Sequence, residues 1–224
     1  DVSWRDPLAE QIPNDYLRSP YLPPIYRQSL ARLIYFGRMF DRIREAPGDL
    51  VECGVSIGTG ILNWSLLTEL SGTPRRIVGF DSFDGFPPST EQDRMKNGAF
   101  QTGQGDYRSS PALVLKVLEE GRVSPGFVRE HVELVRGFFE ATLPSYQGEI
   151  ALLHLDCDLY ESYLTCLGAL YTKVRPGGLI LFDEYEDLTF PGAKPAIDEF
   201  FADKPEKPVR YEDYGYVKYH VVKQ

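Results

Sequence analysis

Two short acidic segments contain the residues best suited to chemistry. One reads Asp156-Cys157-Asp158, and the other, further along the chain, reads Asp183-Glu184. Carboxylates crowded together without a counter-ion raise one another's pKa and destabilise a fold. A divalent cation such as Mg²⁺ removes that conflict, because it prefers oxygen ligands and keeps water or substrate among them. If the two segments meet in the folded chain, Asp156, Asp183 and Glu184 are candidate metal ligands.

Asp158 lies two residues beyond Asp156 and is the candidate general base. A carboxylate with an ordinary pKa of about 4 deprotonates a free alcohol poorly. Lewis-acid polarisation by a metal lowers the pKa of the alcohol, which makes an aspartate sufficient. The alternative is that these acids cap helices or turns, the commoner role for a single acidic pair. Two such pairs at two predicted strand ends favour the metal site.

The elements that must position these acids are short apolar runs that alternate with helical patterns. This alternation predicts a parallel sheet covered on both faces, and hence an α/β fold with one doubly wound, mostly parallel sheet. Ligands of such sheets bind beyond the carboxyl ends of the strands, where both acidic segments lie. Strands are predicted at residues 50–55, 76–80, 132–135, 150–155 and 179–182, and helices at residues 60–70, 111–120, 160–171 and 194–202.

The two ends of the chain depart from this alternation. Residues 1–24 are rich in proline, polar and aromatic residues and predict an irregular arm, and residues 25–45 have the apolar spacing of a helix. Residues 207–223 alternate in the manner of a closing hairpin. We therefore expect an N-terminal arm and helix at residues 1–47, followed by one domain at residues 48–224.

The loops after the first three predicted strands hold a second group of candidate residues. Residues 52–60 are glycine-rich, so the backbone can approach a ligand, although their spacing is not that of a dinucleotide site. Asp81 ends the second strand and can accept the ribose hydroxyls of an adenosine group. Phe138 offers an apolar surface for adenine. The respective alternatives are a structural turn, a helix cap or turn, and a core residue, but the order of these segments along one sheet edge favours S-adenosylmethionine. The candidate cofactor-binding residues are Glu52, Gly54, Gly58, Thr59, Asp81, Ser82, Phe83, Gly137, Phe138 and Asp156.

Residues 84–110 form a long segment rich in glycine and polar residues. A segment of this length without apolar periodicity is often a lid over a binding site. We therefore expect residues 84–110 to close over bound cofactor, with a flexible surface loop as the alternative.

The composition and net charge of the chain disfavour several classes of binding partner. The 224 residues have a formal net charge of −9, which disfavours nucleic acid and anionic membrane surfaces as partners. The chain has no apolar run of the ~18–20 residues that a membrane span requires, and its acidic first residues predict no signal peptide. Three cysteines without metal-ligand spacing indicate free thiols in a reducing cytoplasm.

Several segments, in their order along the chain, resemble the macrocin O-methyltransferase family, which includes macrolide-sugar and novobiocin-sugar O-methyltransferases. The resemblance covers roughly residues 48–201, and its most specific part is the Asp-x-Asp-Leu-Tyr-Glu-Ser block at residues 156–162. The other matching segments are Glu52-Cys-Gly-Val, Asp81-Ser-Phe-Asp-Gly-Phe-Pro, Gly137-Phe-Phe-Glu-Ala-Thr-Leu-Pro, Pro176-Gly-Gly and Asp183-Glu-Tyr.

This resemblance implies a seven-stranded, Rossmann-like class I S-adenosylmethionine methyltransferase. It also implies Mg²⁺ or another divalent cation that positions a sugar diol, a glycosylated small-molecule acceptor and a homo-oligomer. By position, it implies metal ligation by Asp156, Asp183 and Glu184 and base action by Asp158. The family commonly has two consecutive aspartates where this chain has Asp183-Glu184, and the additional methylene of Glu184 changes the reach of that carboxylate.

Three other functions fit parts of the pattern. A metal-dependent O-methyltransferase of a non-sugar diol or catechol would use the same residues. A glycosyltransferase can hold a nucleotide sugar through a metal on Asp-x-Asp, but it would not require Asp81 or the glycine-rich loop at residues 52–60. A non-catalytic S-adenosylmethionine-binding protein would be expected to lack the base or the metal ligands, and Asp156, Asp158 and Asp183 are all present.

Overall fold

The computed structural model of the protein describes residues 27–224, so the predicted arm at residues 1–24 lies outside the described residues. A seven-stranded sheet in the order β3-β2-β1-β4-β5-β7-β6 forms the centre. The strands are β1 (Asp49–Cys53), β2 (Ile77–Asp81), β3 (Val132–Arg136), β4 (Ile150–Leu155), β5 (Val174–Phe182), β6 (Val209–Asp213) and β7 (Tyr216–Val222). The α-helices are α1 (Arg27–Arg42), α2 (Thr59–Ser71), α3 (Pro111–Glu120), α4 (Pro125–His131), α5 (Phe139–Thr142), α6 (Tyr160–Leu170) and α7 (Ala193–Phe200). Short 3₁₀ helices span Glu91–Asp93, Leu143–Ser145 and Tyr171–Lys173.

The strand pairing confirms the predicted mostly parallel sheet. Strands β1 to β5 pair in parallel, and β7 pairs antiparallel with both β5 and β6. The carboxyl ends of β1, β2, β4 and β5 therefore lie at one edge. The loops that follow these strands, which hold the predicted site residues, meet at that edge.

The core occupies both faces of the sheet. Strand β4 is at the centre, and all its residues are buried, as expected for a strand covered on both sides. Helix α1 packs on one face through residues with helical spacing, including Tyr35, Phe36 and Met39. The Phe36 and Trp64 rings stack there with centroids 4.3 Å apart. Within residues 27–224, no helix is long and apolar enough to cross a membrane.

The structure differs from the predicted elements at β5 and at two helices that were not predicted, α4 and the four-residue α5. Strand β5 begins at Val174 instead of residue 179, because the Pro-Gly-Gly segment, which suggests a turn, forms an irregularity inside the strand. Gly178 fits there because a Cβ would lie 2.9 Å from the carbonyl oxygen of Ala151. Helix α4 was not predicted, although Ser124 caps it by accepting a hydrogen bond from the Phe127 amide, and a proline begins it.

His220 on β7 makes the stability of the fold sensitive to acid. Its side chain is buried, and Nε2 accepts a hydrogen bond from Arg42, 2.6 Å away. Burial and the adjacent guanidinium lower the pKa of His220 to about 4. The unfolded chain therefore takes up this proton near pH 6.5, and the folded chain does so only near pH 4. The free energy of unfolding is expected to decrease as the pH falls through this window.

We expect the His220→Gln variant to lose less stability on acidification than the parent protein. Glutamine keeps an acceptor for Arg42 and cannot gain the proton. Between pH 7 and pH 5, the difference should be about 2 kcal/mol in urea denaturation. His131→Gln, at the end of α4, is the matched control. An equal decrease in the free energy of unfolding on acidification, in the His220 variant and in the parent protein, would contradict this assignment.

Candidate active site

A cavity of about 310 Å³ opens at the carboxyl edge of the sheet. Most of the predicted cofactor-binding residues line it, and so does the predicted base, Asp158. Gly58, Phe83 and Gly137 are not among the lining residues. Gly58 packs against Val114 at the start of α2, and Phe83 is buried in the core. The predicted residues that line the cavity are Glu52, Gly54, Thr59, Asp81, Ser82, Phe138 and Asp156.

Glu52 forms the floor of the cavity. Its side chain is buried, and Oε2 accepts hydrogen bonds from Trp64 Nε1 at 3.0 Å and from His154 Nδ1 at 2.9 Å. Gly60 is required beside it, because a Cβ there would lie 2.1 Å from the same oxygen. The carboxylate is therefore fixed in position below the glycine-rich loop.

Asp81 joins the loops that follow β1 and β2. Its Oδ2 accepts a hydrogen bond from the Ser56 amide at 2.8 Å, and its Oδ1 accepts one from the Phe83 amide at 2.6 Å. The side chain thus performs the turn-stabilising role that was the alternative in the sequence. It also lines the cavity, and each carboxylate oxygen has a second lone pair with which to accept a hydrogen bond from a ligand.

Aromatic side chains cover the other wall. Phe138 is 43% exposed and lines the cavity, so it is not a core residue. Phe86, Tyr107 and Phe190 line it as well, and the Phe86 ring contacts the other two, with centroids 5.4 Å from Tyr107 and 6.2 Å from Phe190. None of these three aromatic residues was predicted individually from the sequence. Phe86 and Tyr107 belong to the segment predicted as a lid.

The segment at residues 84–110 is attached to the site by a buried aspartate. Asp93 Oδ1 accepts a hydrogen bond from the Tyr160 amide at the start of α6, 2.8 Å away, and Oδ2 accepts one from the Thr90 amide. Asp93 therefore connects the segment to the loop that contains Asp158. Closure of this segment over a cofactor stays a prediction.

The acidic residues after β4 and β5 meet beside the cavity in two overlapping groups. The ligand atoms of His154, Asp156 and Asp183 lie within 4.8 Å of one another, and so do those of Asp156, Asp158 and Glu184. Asp156 belongs to both groups. The structure thus brings the predicted ligands to one place but assigns Asp183 and Glu184 to different groups.

The carboxylates of this cluster differ in their electrostatic environment. Burial and the charges of Asp156 and Asp183 raise the pKa of Asp158 well above its usual value. Burial and the charge of Asp158 likewise raise the pKa of Glu184. Burial alone would raise the pKa of Asp183, but Arg32 and Lys218 hold it well below its usual value.

Two cationic side chains that were not predicted from the sequence lie against the cluster. Arg32 Nη2 is 2.7 Å from Asp156 Oδ2 and 3.6 Å from Asp183 Oδ1, and Lys218 Nζ is 3.0 Å from Asp183 Oδ1. Arg32 precedes the buried Phe36 by one helical turn, and its guanidinium lies over the Phe36 ring. A charged residue beside the apolar stripe of a helix is the signal that could have identified it.

The cluster also contains buried polar atoms without hydrogen-bond partners. His154 Nε2 and Arg32 Nε lack one, and His154 Nε2 lies 3.9 Å from Asp183 Oδ1, which is paired with Lys218. Burial alone would lower the pKa of His154, but the neighbouring carboxylates of Asp183 and Glu52 raise it to about 9. Crowded carboxylates, of which Asp158 and Glu184 have raised pKa values, fit a divalent cation at this place.

Comparison with solved structures supports the fold. The structure of the O-methyltransferase NovP superimposes with a TM-score of 0.72 at 26% identity, over 86% of this chain and 79% of NovP. The calicheamicin methyltransferase CalS11 superimposes with a TM-score of 0.77 at 24% identity, over 99% of this chain and 87% of CalS11. These likenesses confirm the predicted class I methyltransferase fold and support S-adenosylmethionine as the cofactor.

Sequence comparison identifies relatives that act on natural products. Demethyldecarbamoylnovobiocin O-methyltransferase of Streptomyces niveus is 34% identical over 160 residues, which are 70% of this chain and 59% of the relative. The 8-demethyl-8-(2,3-dimethoxy-alpha-L-rhamnosyl)-tetracenomycin-C 4'-O-methyltransferase of Streptomyces olivaceus is 31% identical over 141 residues, 62% of this chain and 53% of the relative. The chain therefore matches somewhat more than half the length of these relatives.

The family model named Macrocin-O-methyltransferase (TylF) matches residues 31–217. This match extends from α1 through the sheet to β7 and includes the glycine-rich loop, Asp81 and both acidic segments. It confirms the resemblance found in the sequence, and the chain belongs to the macrocin O-methyltransferase family.

Proposed function

We propose that the protein transfers a methyl group from S-adenosylmethionine to a hydroxyl of a sugar on a small-molecule natural product. The observation that carries this proposal is that one cavity is lined both by the predicted cofactor residues and by Asp156 and Asp158. Curated relatives at 31–34% identity are named for O-methylation of natural products, one of them a rhamnosyl compound. These names support a glycosylated acceptor.

The cofactor end of the cavity is formed by residues of β1, β2 and the loop after β3. Asp81 is proposed to accept hydrogen bonds from the ribose, because two backbone amides already fix its carboxylate. Glu52 and Gly54 are proposed to hold the methionine end, and Phe138 the adenine. When bound, S-adenosylmethionine supplies an electrophilic methyl group.

A divalent cation is proposed to bind the acidic cluster at the other end. Asp156 belongs to both groups of donor atoms, so it is a ligand in either arrangement, with Asp183 or Glu184 beside it. Such a cation would supply Lewis acidity that lowers the pKa of an acceptor hydroxyl. The convergence of three carboxylates, Asp156, Asp158 and Glu184, with donor atoms within 4.8 Å of one another supports this assignment.

Asp158 is proposed to accept the proton of the acceptor hydroxyl on its carboxylate. It lines the cavity and has a positive φ of 61°, an uncommon backbone conformation for a residue other than glycine. Glu184 supports this conformation, because its Oε2 lies 3.4 Å from the Asp158 amide and accepts that hydrogen bond. The loop therefore presents the base to the cavity.

The activity test uses purified protein, S-adenosylmethionine, Mg²⁺ and two sets of acceptors. One set is glycosides of natural products with adjacent free sugar hydroxyls, and the other is catechols. Mass spectrometry should detect the gain of one methylene group on a glycoside sugar. Methylation of catechols alone would favour the non-sugar diol alternative, and cofactor binding without any turnover would favour a non-catalytic partner protein.

We expect Asp81→Ala to weaken S-adenosylmethionine binding roughly ten- to a hundredfold. Loss of hydrogen bonds from a charged group costs about 1.5–3 kcal/mol, which corresponds to that range. Isothermal titration calorimetry measures the affinity for S-adenosylmethionine in the absence of a methyl acceptor. Asp84→Ala is the matched control, because that carboxylate is exposed and pairs with Arg136. Unchanged affinity in the Asp81 variant would contradict the ribose assignment.

A further inference from the structure

The carboxylate of Glu52 is hydrogen-bonded at one oxygen and open at the other. It is 1% exposed, and it lines the cavity at the place proposed for the methionine end of the cofactor. Oε2 accepts hydrogen bonds from Trp64 Nε1 at 3.0 Å and from His154 Nδ1 at 2.9 Å. Within residues 27–224, no donor is bonded to Oε1, so this oxygen can accept hydrogen bonds from a ligand.

A cationic group is the ligand that suits Glu52 Oε1. Hydrogen bonds between an ammonium and a carboxylate are charge-assisted and roughly twice as strong as neutral ones. They weaken steeply when donor and acceptor are misaligned. The α-ammonium at the methionine end of S-adenosylmethionine therefore binds best to a carboxylate whose orientation is fixed before the cofactor arrives.

Trp64 has the rigidity that this orientation requires. It is a fully buried residue of α2, and its ring stacks on Phe36 of α1 with centroids 4.3 Å apart and an angle of 23° between the planes. The His154 ring lies across it at 72°, with centroids 5.8 Å apart. Because close-packed neighbours hold the indole in one rotamer, its N–H keeps one direction toward Glu52.

Gly60 makes room for the carboxylate beside this donor. A Cβ at residue 60 would lie 2.1 Å from Glu52 Oε2 and 2.5 Å from Oε1. Helix α2 therefore contributes both a donor, Trp64, and a closely approaching backbone, Gly60, to the placement of a carboxylate of β1.

A purely structural role for Trp64 is the alternative. A buried indole N–H requires an acceptor, and a backbone carbonyl would serve. Here the acceptor is instead a carboxylate that lines the cavity, so the position of the indole is coupled to the group that meets the ligand. His154 is less suited to a test of this coupling, because its Nε2 also lies 3.9 Å from Asp183 Oδ1.

We propose that Trp64 is a positioning residue for the cofactor, which holds Glu52 Oε2 and thereby directs Oε1 toward the α-ammonium at the methionine end. This inference rests on the proposed function, which places the methionine end at Glu52. Because the adenosine end is assigned to Asp81 and Phe138, the contribution of Trp64 depends on the amino-acid part of the ligand. The affinity for a ligand that has adenosine but no ammonium should not depend on Trp64.

The test compares the affinities of two ligands by isothermal titration calorimetry. S-adenosylhomocysteine contains adenosine, the thioether and the amino-acid part, whereas methylthioadenosine lacks the ammonium and the carboxylate. Trp64→Phe retains an aromatic ring on Phe36 and removes the N–H donor. We expect it to weaken S-adenosylhomocysteine binding about three- to tenfold, the usual factor for one hydrogen bond, and to leave methylthioadenosine binding unchanged. Glu52→Gln should show the same selectivity with a larger loss.

Ser65→Ala is the matched control, because Ser65 is buried on the same helix and its hydroxyl has no hydrogen-bond partner among the described residues. The affinity of this variant for both ligands should equal that of the parent protein. An equal loss for both ligands in Trp64→Phe, or no loss for either, would overturn the positioning role. Failure of the parent protein to bind S-adenosylhomocysteine would instead overturn the cofactor site of the proposed function.

A second readout does not depend on a Trp64 variant that folds. In nuclear magnetic resonance, the indole N–H signal of Trp64 reports its hydrogen bond to Glu52, and Trp4→Phe identifies that signal, because the chain has two tryptophans. The signal should move further on addition of S-adenosylhomocysteine than on addition of methylthioadenosine. Equal shifts with the two ligands would overturn the proposal.

Discussion

The Asp158→Asn variant is expected to lose methyl transfer by about 10²–10⁴-fold, the usual contribution of a general base. Asparagine has nearly the same shape as aspartate but cannot accept the proton of the acceptor hydroxyl. The change should leave the backbone in place, because the Glu184 carboxylate still accepts the hydrogen bond from the amide of residue 158. The loss should therefore appear in kcat and not in the affinity for cofactor.

The proposed base and the proposed metal ligands can be distinguished, because their substitution should affect cation binding differently. Asp158 is not in the group formed by His154, Asp156 and Asp183, so Asp158→Asn should retain cation binding in calorimetry. Asp156→Asn should lose both cation binding and turnover, because Asp156 belongs to both groups. Asp203→Asn, on the exposed surface, is the control.

The measurement is release of S-adenosylhomocysteine with a glycoside that supports turnover by the parent protein. Full turnover by Asp158→Asn would show that another group accepts the proton. Equal loss of cation affinity in the Asp158 and Asp156 variants would show that Asp158 is a ligand and not a separate base.

The sheet could be predicted from sequence because its strands have one simple pattern. Strand β4 is buried on both faces and therefore consists of continuous apolar residues around His154. The turn after each strand contains glycine or acid, which locates the strand ends. Since parallel strands bring their carboxyl ends to one edge, the meeting of Asp156 with Asp183 followed from topology alone.

The partners of those acids could not be predicted in the same way. Arg32 lies 124 residues from Asp156 in the sequence and reaches it only because α1 packs across the sheet. Local periodicity contains no information about such a contact. His154 lies on a buried strand, and its ring has a partner at Nδ1 but none at Nε2. The difference depends on the position of Asp183, on another strand.

Phe83 and Gly58, two of the residues predicted to bind the cofactor, are not among those that line the cavity. Phe83 follows Asp81 closely, yet its side chain is buried in the core, and only its amide contacts the Asp81 carboxylate. Gly58 is required by a close approach to Val114, where a Cβ would lie 2.7 Å from Cγ1. Both residues support the loops around the cavity without lining it.

Gly54→Ala is expected to destabilise the protein by about 3 kcal/mol or more, a large value for one methyl group. A Cβ at Gly54 would lie 1.7 Å from the carbonyl oxygen of Asp156 and 2.6 Å from its carbonyl carbon. Both atoms belong to the backbone, so no side-chain rotation can relieve the overlap. The φ of +91° adds strain that only glycine avoids.

Relief of this overlap would require β1 and β4 to separate at the site. The Asp156 amide donates to the Cys53 carbonyl at 3.0 Å, and the Gly54 amide donates to the Phe80 carbonyl at 2.9 Å. Separation would stretch the first of these hydrogen bonds, disturb the second, and shift Asp156 relative to Glu52 and the glycine-rich loop. We therefore expect Gly54→Ala to weaken S-adenosylmethionine and cation binding as well as the fold.

Gly72→Ala is the matched control for the backbone conformation. Gly72 ends α2 with a φ of +67°, and a Cβ there would have no atom within 4 Å. Its substitution should cost only about 1–2 kcal/mol, the usual penalty of the left-handed conformation for alanine. Urea denaturation gives the loss of stability in both variants, provided that their m-values are equal. The difference between the two losses is the cost of the atomic overlap at Gly54 beyond the cost of the backbone conformation. Equal destabilisation of the two would contradict a rigid contact between β1 and β4. A greater loss of stability in Gly54→Ala would mean that the close approach of Gly54 to the Asp156 carbonyl, which fixes Asp156 beside the cavity, also stabilises the sheet.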